Sequence, residues 1–371
     1  MTERIVVKIG SSSLTSDEGG LNRERIVFFS RELAALHEAG YQVLLVTSGA
    51  VAAGFRQIGY ESRPKLIHEK QAAAAVGQAL LMQAYQEAFA SNGPHRGIGV
   101  AQILLTRADF SNRKRISNAL MTVEELLRQR IIPIINENDT VATDELKFSD
   151  NDTLSALVAN LVKAKHLLIL TDTDGLYTED PRFNPHAKRI ERVEQISDDI
   201  MSFAGDSGSS VGTGGMRSKI EAARVAMRGG VPAFVGRVKE SGDLSLAVHG
   251  TGKGTYFDTS LHNLPMKKQW LGFHSQPQGK IIVDDGAEAA LLKRGKSLLP
   301  AGVRTIEGDF HPGDVVEVVN LQHQTLGRGV VNYSAWEVQA VAGLSTTEVR
   351  RRVEVARIEV IHRDEWVSLR D

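Results

Sequence analysis

Along the first two thirds of the chain, apolar and polar positions follow two alternating periods. Short apolar runs at residues 5–9, 43–47, 98–105, 131–136, 167–171 and 231–235 have the length and β-branched content of strands. Between them lie longer stretches whose apolar residues recur every three or four positions. In residues 23–39, Ile26, Phe29, Leu33 and Leu36 fall on one helical face, with Asn22 placed to cap the helix and Gly40 to stop it. Runs such as LLILT and PIIN show no polar face, so these strands are expected to be buried on both sides. That pattern predicts an α/β fold: an αβα sandwich with a mainly parallel open sheet, which binds its ligands at the C-terminal ends of the strands.

After about Tyr256 the texture changes. Residues 258–278 are polar, contain Pro265 and Pro277, and show no period, which reads as a linker region. From Gly279 onward the runs KIIVD, DVVEVVN, GRGVVNY and VEVARIEVI are short, β-branched and punctuated by glycine, the signature of a small β-barrel-like module. The expected division is a first domain at 1–258 that carries the sites, a linker at 259–275 and a β-barrel-like domain at 276–371. The one low-complexity stretch, GDSGSSVGTGG at 205–215, lies directly before a helix-like segment.

Composition narrows the chemistry. Across 371 residues, 42% hydrophobic and 24% charged with 10 prolines exclude a largely disordered, collagen-like or coiled-coil chain. Forty-four basic residues against 45 acidic ones give a net charge of −1, so nothing at whole-chain level advertises a polyanionic partner, and small ligands are expected. Zero cysteines remove disulfides, thiolate metal sites and cysteine nucleophiles. No run approaches the ~18 consecutive apolar residues of a membrane span. The first ten residues have no secretory pattern, and the expected location is the cytoplasm. The 11 histidines show no metal-ligand spacing, and neither H-E-x-x-H nor a Ser–His–Asp constellation occurs.

The polar residues that follow the strands are the candidates for function. The first strand ends in Lys8-Ile9-Gly10-Ser11-Ser12-Ser13, where backbone N–H groups beside a lysine suit a phosphate. It is not a Walker loop, and no G-x-G-x-x-G opens a helix. The second ends in Thr47-Ser48-Gly49-Ala50-Val51-Ala52-Ala53-Gly54, small residues that suit either a close-approaching carboxylate or tight helix packing. Asn136-Glu137-Asn138-Asp139 and Ser149-Asp150-Asn151-Asp152 form two acid-amide clusters suited to an amine or to an organising carboxylate. A further strand ends in Thr171-Asp172-Thr173-Asp174-Gly175, and Gly212 to Lys219 is a glycine-rich loop that delivers a second lysine to a helix.

In this order, KIGSSSLT, TSGAVAAG, the stretch from Arg63-Pro64 to KQAAAAVGQ, INENDTV, DNDTLSALVA, LTDTDGLYTEDPR and GTGGMRSK resemble the amino acid kinase family, specifically its members that phosphorylate glutamate. The resemblance implies transfer of a phosphoryl group from ATP to the γ-carboxylate, which yields glutamyl 5-phosphate, the first step of proline biosynthesis. It implies that Lys8 and Lys219 contact the phosphates and that Asp152 and Asp150 orient them. Ser48, Gly49, Ala50, Asp139 and Asn151 would hold glutamate. Lys8, Gly10, Ser11, Thr171, Asp172, Thr213, Gly214, Gly215, Met216, Arg217, Ser218 and Lys219 would line the ATP site. No metal ligand is assigned, because Mg²⁺ would be held mainly by the ATP phosphates. Two departures from the family pattern are Ser218 in place of threonine and Ser149 in place of glycine. The resemblance further implies a homo-oligomer, proline as feedback inhibitor, and onward transfer of the product to glutamyl phosphate reductase. An aspartate or N-acetylglutamate kinase of the same fold is the alternative enzyme, although TSGAVAAG with the two acid-amide clusters favours an unblocked amino acid.

From about Gln276 the chain resembles the PUA domain, which elsewhere binds RNA. An RNA-binding protein is thus a reading from a different class. Residues 276–371 hold 12 basic and 14 acidic residues, whereas a nucleic-acid module is normally basic on one face. Lys293-Arg294-Gly295-Lys296 and Arg350-Arg351-Arg352 read as solvated surface charge.

Overall fold

The computed structural model describes residues 2–16, 19–91, 97–142, 151–181, 183–184, 186–204, 215–259, 271, 275, 277–352 and 357–369. Contacts divide the chain into two units, Met1–Asp109 with Lys114–Asn263, and Phe110–Arg113 with Leu264–Asp371. In the first unit, strands β1 (Arg4–Ile9), β2 (Gln42–Val46), β3 (Val100–Leu105), β4 (Ile132–Glu137), β5 (His166–Leu170) and β9 (Ala233–Gly236) are those expected from the apolar runs, with ends shifted by one or two residues. The short strands β6 (Leu176–Tyr177), β7 (Arg189–Ile190), β8 (Arg192–Val193) and β10 (Gly254–Phe257) carry too little apolar sequence to announce themselves. Among the described residues the main sheet runs β3-β4-β2-β1-β5-β9-β10-β8, and β6 pairs with β7 apart from it. Pairing is parallel throughout the main sheet except where β10 meets β9.

The helices of this part of the chain are α1 (Ser11–Leu14), α2 (Arg23–Glu38), α3 (Ala50–Gly54), α4 (Ile67–Ala90), α5 (Arg107–Ser111), α6 (Arg113–Arg128), α7 (Asn151–Leu161), α8 (Asp198–Ser202), α9 (Met216–Arg228) and α10 (Asp243–Val248). Side chains alternate across a strand, and β1 shows what that parity does here. Ile5, Val7 and Ile9 join a core with Ile26, Phe29 and Leu33 of α2 and Leu81, Tyr85 and Phe89 of α4. Val6 and Lys8 therefore belong to the opposite face, which α7 and α9 cover against β1, β5 and β9. Helix α2 starts as expected, with the Asn22 side chain accepting a hydrogen bond from the Arg25 backbone at 3.0 Å, and Gly40 follows its end at φ +97°.

Helices α3 and α4 cross backbone to backbone. A methyl group added at Gly54 would lie 2.0 Å from the Ala73 carbonyl, and one at Gly77 only 1.8 Å from the Ala50 carbonyl. Gly54 therefore serves the packing reading of the small-residue run. Gly49 serves the turn, since it caps α3 at φ +106° in the left-handed region.

The second unit holds a five-stranded sheet in the order β12-β11-β13-β14-β15, formed by β11 (Gly279–Val283), β12 (Val303–Gly308), β13 (Val315–Val319), β14 (Thr325–Val331) and β15 (Ile361–Ser368). β11 pairs with β13 in parallel, and the remaining pairs are antiparallel. Two expectations need correcting. The run VEVARIEVI supplies a strand only from its last residue, Ile361: residues 357–360 lie outside any strand, and 353–356 lie outside the described residues. The edge strand β12 was missed because most of its residues face solvent, leaving no apolar run. Leu271, inside the polar stretch, is buried with Val315 and Val367 of this unit, and the Ser275 carbonyl accepts from Arg328 Nη1 at 2.9 Å.

Candidate active site

Register places the ends of the central strands in one row. Lys8 pairs with Val46 of β2, Ile9 with Leu170 of β5, and Leu170 with Gly236 of β9. Two positions beyond Lys8 and one beyond the other pairs, Ser48, Gly10, Thr171 and Arg237 stand level along the C-terminal rim. The Thr171 amide, donating to the Gly236 carbonyl at 2.9 Å, extends that register past the strands. Ligands of an open parallel sheet bind at this rim.

At its centre are three buried charges. Lys8, turned toward α7 by its parity, is only 4% exposed and pairs through Nζ with Oδ1 of the fully buried Asp152 in the first turn of α7. Lys219, in the first turn of α9, donates from Nζ to Asp152 Oδ2 at 3.1 Å. Ser218 Oγ reaches the same oxygen at 3.0 Å and the Gly215 carbonyl at 2.9 Å. Burial by itself pushes the Asp152 carboxyl up; the two ammonium groups and their hydrogen bonds outweigh it and hold the group well below the usual carboxylate range. Among the described residues one carboxylate stands between two buried lysines. Such a cluster favours a polyanion, and a methyl group at Gly10 would come within 3.3 Å of Lys8 Nζ, so glycine keeps the approach to that ammonium open.

The next residue back, Asn151, organises the other half of the site. Its Nδ2 lies within hydrogen-bond distance of the Thr47 carbonyl (2.5 Å), Ser48 Oγ (2.9 Å) and Asn136 Oδ1 (2.8 Å), so one amide ties the β2 and β4 ends together. Because Ser48 accepts there, its own O–H remains available to donate. Asn136 Nδ2 donates to Gln78 Oε1 of α4 at 2.8 Å, and Gln78 Nε2 to Gln102 Oε1 at 2.9 Å. Ala50 is buried behind Gly49, while Asp139 sits half-buried in the turn after β4. This side is built from neutral hydrogen bonds, and Asp139 adds a carboxylate suited to an ammonium group.

On the far side of Lys8, Ser11 opens α1 after Gly10, and Thr171 Oγ1 donates to Asp172 Oδ1 at 3.0 Å. Gly215 precedes α9, followed by half-buried Met216 and exposed Arg217. Asp150, Thr213, Gly214 and Ser149 lie outside the described residues. The reading of the sequence did not anticipate the amide chain through Asn136 and Gln78, nor Arg237. For Gln78 a signal was present: an amide at the end of an alanine-rich run, seven residues after Gln71 and so on the same helical face. Arg237 carried none, since one arginine after a strand is ordinary.

The amino acid kinase family model matches residues 3–237, and the PUA domain model matches residues 279–353. Over 369 residues the chain is 50% identical to the glutamate 5-kinase of Geobacillus kaustophilus (strain HTA426), covering 99% of this chain and 98% of that protein. It is 49% identical over 368 residues to the glutamate 5-kinase of Bacillus cereus (strain ATCC 10987 / NRS 248), covering 99% of each. A solved structure of carbamate kinase from Giardia lamblia bound to AMP-PNP covers 70% of this chain and 99% of its own, with a TM-score of 0.50 at 18% identity, a likeness of fold alone.

Proposed function

The chain belongs to the amino acid kinase family and, within it, to the glutamate 5-kinases, and from that premise we propose that Lys8, Asp152 and Lys219 form the phosphoryl-transfer centre. The reaction moves the γ-phosphoryl of ATP onto the γ-carboxylate of glutamate, giving glutamyl 5-phosphate and ADP, the opening step of proline biosynthesis. The near-complete likeness to glutamate 5-kinases does not favour an aspartate or N-acetylglutamate kinase, nor RNA binding as the main role.

The chemistry requires no general base. A carboxylate is already ionised at neutral pH, and one of its oxygens attacks the γ-phosphorus in line while the bond to the β,γ-bridging oxygen breaks and its electron pair leaves with ADP. The difficulty is the approach of two anions. Lys8 and Lys219 offset that repulsion and stabilise charge on the transferring group, and Asp152 keeps both ammonium groups in place before substrate arrives. Gly10, Ser11, Thr171, Asp172, Gly215, Met216, Arg217 and Ser218 make up the nucleotide side, with Thr213 and Gly214 in the same loop and Asp150 beside Asp152.

Glutamate lies against the loops after β2 and β4. Its ammonium faces Asp139, and its carboxylates meet Ser48, Asn151 and the small residues Gly49 and Ala50. Mg²⁺ enters on the ATP phosphates as part of the substrate. Among the described residues no group of three or more His, Cys, Asp or Glu could hold a metal ion, and Asp152 is committed to two lysines. The product is a reactive mixed anhydride, which is the chemical reason for direct onward transfer to glutamyl phosphate reductase. Proline as feedback inhibitor, a homo-oligomer and a cytoplasmic location complete the proposal; among the described residues no helix is long and apolar enough to cross a membrane.

The observation that carries this reading is the pair of lysines that meet on Asp152 in a buried cluster at the end of β1. The experiment is ADP release in the presence of glutamate, aspartate or N-acetylglutamate, with hydroxylamine to trap the acyl phosphate as a hydroxamate. Glutamate-dependent ADP and hydroxamate in equal amounts are expected. ADP release without hydroxamate would remove acyl transfer from the proposal.

A further inference from the structure

Arg237 stands in the row of rim residues, yet the reaction as described gives it no task. It follows β9 level with Thr171, and its backbone N–H donates to the Lys253 carbonyl at 3.1 Å, which fixes the start of the side chain. The residue is half-buried. Among the described residues its guanidinium makes no hydrogen bond and no ion pair. A guanidinium carries five donors in a planar fork, and leaving it partly desolvated without an acceptor is costly unless a ligand supplies one.

Its surroundings narrow the ligand. The Tyr177 hydroxyl donates to Asp174 Oδ1 at 3.0 Å, and Asp172 receives the Thr171 hydroxyl at 3.0 Å, so both acids already have local partners. Burial and Asp174 raise the Tyr177 phenol, while the positive fields of Arg189 and Arg237 pull it back. The sheet order sets the direction. From Lys8 on β1, the glutamate loops lie toward β2 and β4, whereas β5 and β9 lie the other way, so a nucleotide whose γ-phosphate meets Lys8 runs across β5 toward β9. Two interstrand steps separate β1 from β9, about 10 Å. The anionic group of ATP farthest from the transferred phosphoryl is the α-phosphate, and a planar fork recognises it in two-point fashion.

We propose that Arg237 binds the α-phosphate of ATP, an assignment that rests on the placement of the γ-phosphate at Lys8 and Lys219. The residue then sets nucleotide affinity without taking part in bond making, and it distinguishes a nucleotide from the uncharged nucleoside.

The test is equilibrium binding of adenosine, AMP, ADP and a non-hydrolysable ATP analogue to the full chain and to its Arg237→Ala and Arg237→Lys variants, with steady-state kinetics and melting curves alongside. Arg237→Ala is expected to weaken AMP, ADP and the ATP analogue by one common factor of about 10–100, the loss of a charge-assisted contact. Adenosine binding, the glutamate KM and the turnover at saturating ATP should stay near the parental values. Arg237→Lys should recover part of the loss, since a point charge attracts the phosphate but lacks the fork; should the alanine variant melt early, the lysine variant carries the comparison. Unchanged AMP affinity, or adenosine weakened as much as AMP, would overturn the proposal. A Lys219→Ala arm separates it from its premise: that variant should weaken the ATP analogue and not AMP, and full turnover there would sink the phosphoryl-transfer reading instead.

Discussion

The two edges of the main sheet treat charge in opposite ways. At the N-terminal edge Arg4, His37 and Arg130 each meet a protein acceptor. Arg4 donates from Nη1 and Nη2 to both carboxylate oxygens of Glu124 at 2.8 and 2.6 Å, from Nη1 also to the Val162 carbonyl, and from Nε to Gln42. His37 donates from Nε2 to the Arg130 carbonyl at 3.1 Å, and Arg130 Nη2 returns a bond to the His37 carbonyl at 2.9 Å. At the C-terminal edge Lys8 and Lys219 share the single carboxylate of Asp152, and Arg237 has no acceptor among the described residues. Among the described residues one sheet thus holds an edge where the named cations each have their own acceptor and an edge where two lysines share one carboxylate. That difference marks the working edge, because desolvated ammonium groups gathered on one carboxylate favour an anionic ligand.

The largest expected effect comes from making the working edge still less complete. Asp152→Asn keeps the shape and removes the carboxylate that pairs with two buried ammonium groups. The cost should be about 3–5 kcal/mol of stability, the usual consequence of breaking a buried pair. Turnover should fall with it, because neither lysine is then held in position. MgATP brings the missing negative charge, so it should raise the Tm of the variant more than that of the parent. Equal ligand-induced shifts in the two proteins would show that the phosphates do not meet this cluster.

Removing a cation acts differently. Lys8→Ala or Lys219→Ala leaves Asp152 paired with the other lysine and, through Oδ2, with Ser218, so folding stability should change little. Turnover should drop by about 10²–10³, the range for loss of one preorganised charge on a transition state. A steady-state assay and a melting curve on the same preparation check both halves; near-parental turnover with an unchanged Tm would remove that lysine from the mechanism.

How much of this was open to a reading of the sequence follows from the same contrast. The central strands β1, β2, β4, β5 and β9 were legible, since a buried parallel strand must be apolar on both faces and so stands out as a continuous run, and the edge strand β3 was legible from its apolar sequence alone. The strands β6, β7, β8 and β10 were not, because they are only two to four residues long, nor was β12, most of whose residues face solvent. The charged centre was legible as separate pieces, Lys8, Asp152 and Lys219, each next to a glycine or at a helix start. That Asp152 holds both lysines at once depends on β1 parity and on the α7–α9 packing, which no local pattern states. The amide chain from Gln102 through Gln78 and Asn136 to Asn151 joins four separate elements, so its logic exists only in three dimensions.

The structural edge offers the converse test. Arg4→Ala removes a bidentate pair that links β1 to α6, but Glu124 is 44% exposed and water can replace the guanidinium. The loss should therefore be modest, about 1–2 kcal/mol. The KM values for glutamate and ATP should stay at parental levels, since the strand's other end is unaltered. A tenfold rise in either KM, by contrast, would mean that the two edges are coupled through β1.

The smallest effect is one of pH, and it too belongs to the structural edge. Burial first, and then the charge of Arg130, hold the His37 imidazole below its ordinary value of 6.5. His166, at the start of β5, is lowered in the same sense by burial and by Lys165. In the interval between the folded and unfolded values the unfolded chain binds a proton that the folded chain refuses, so stability rises with pH there. The contribution is complete above 6.5 and is lost as pH falls through the lowered folded value. Asp152 runs with the same sign, but its carboxyl is held so low that it stays ionised through this interval. A series of melting curves between about pH 8 and about pH 5 should therefore show the parent losing Tm on acidification, with His37→Gln losing less. Glutamine keeps a donor for the Arg130 carbonyl and cannot take up the proton, while His166 leaves a residual slope. Superimposable Tm profiles for the two proteins would show that His37 titrates alike in the folded and unfolded chains, and the structural edge would then be closed by hydrogen bonding alone.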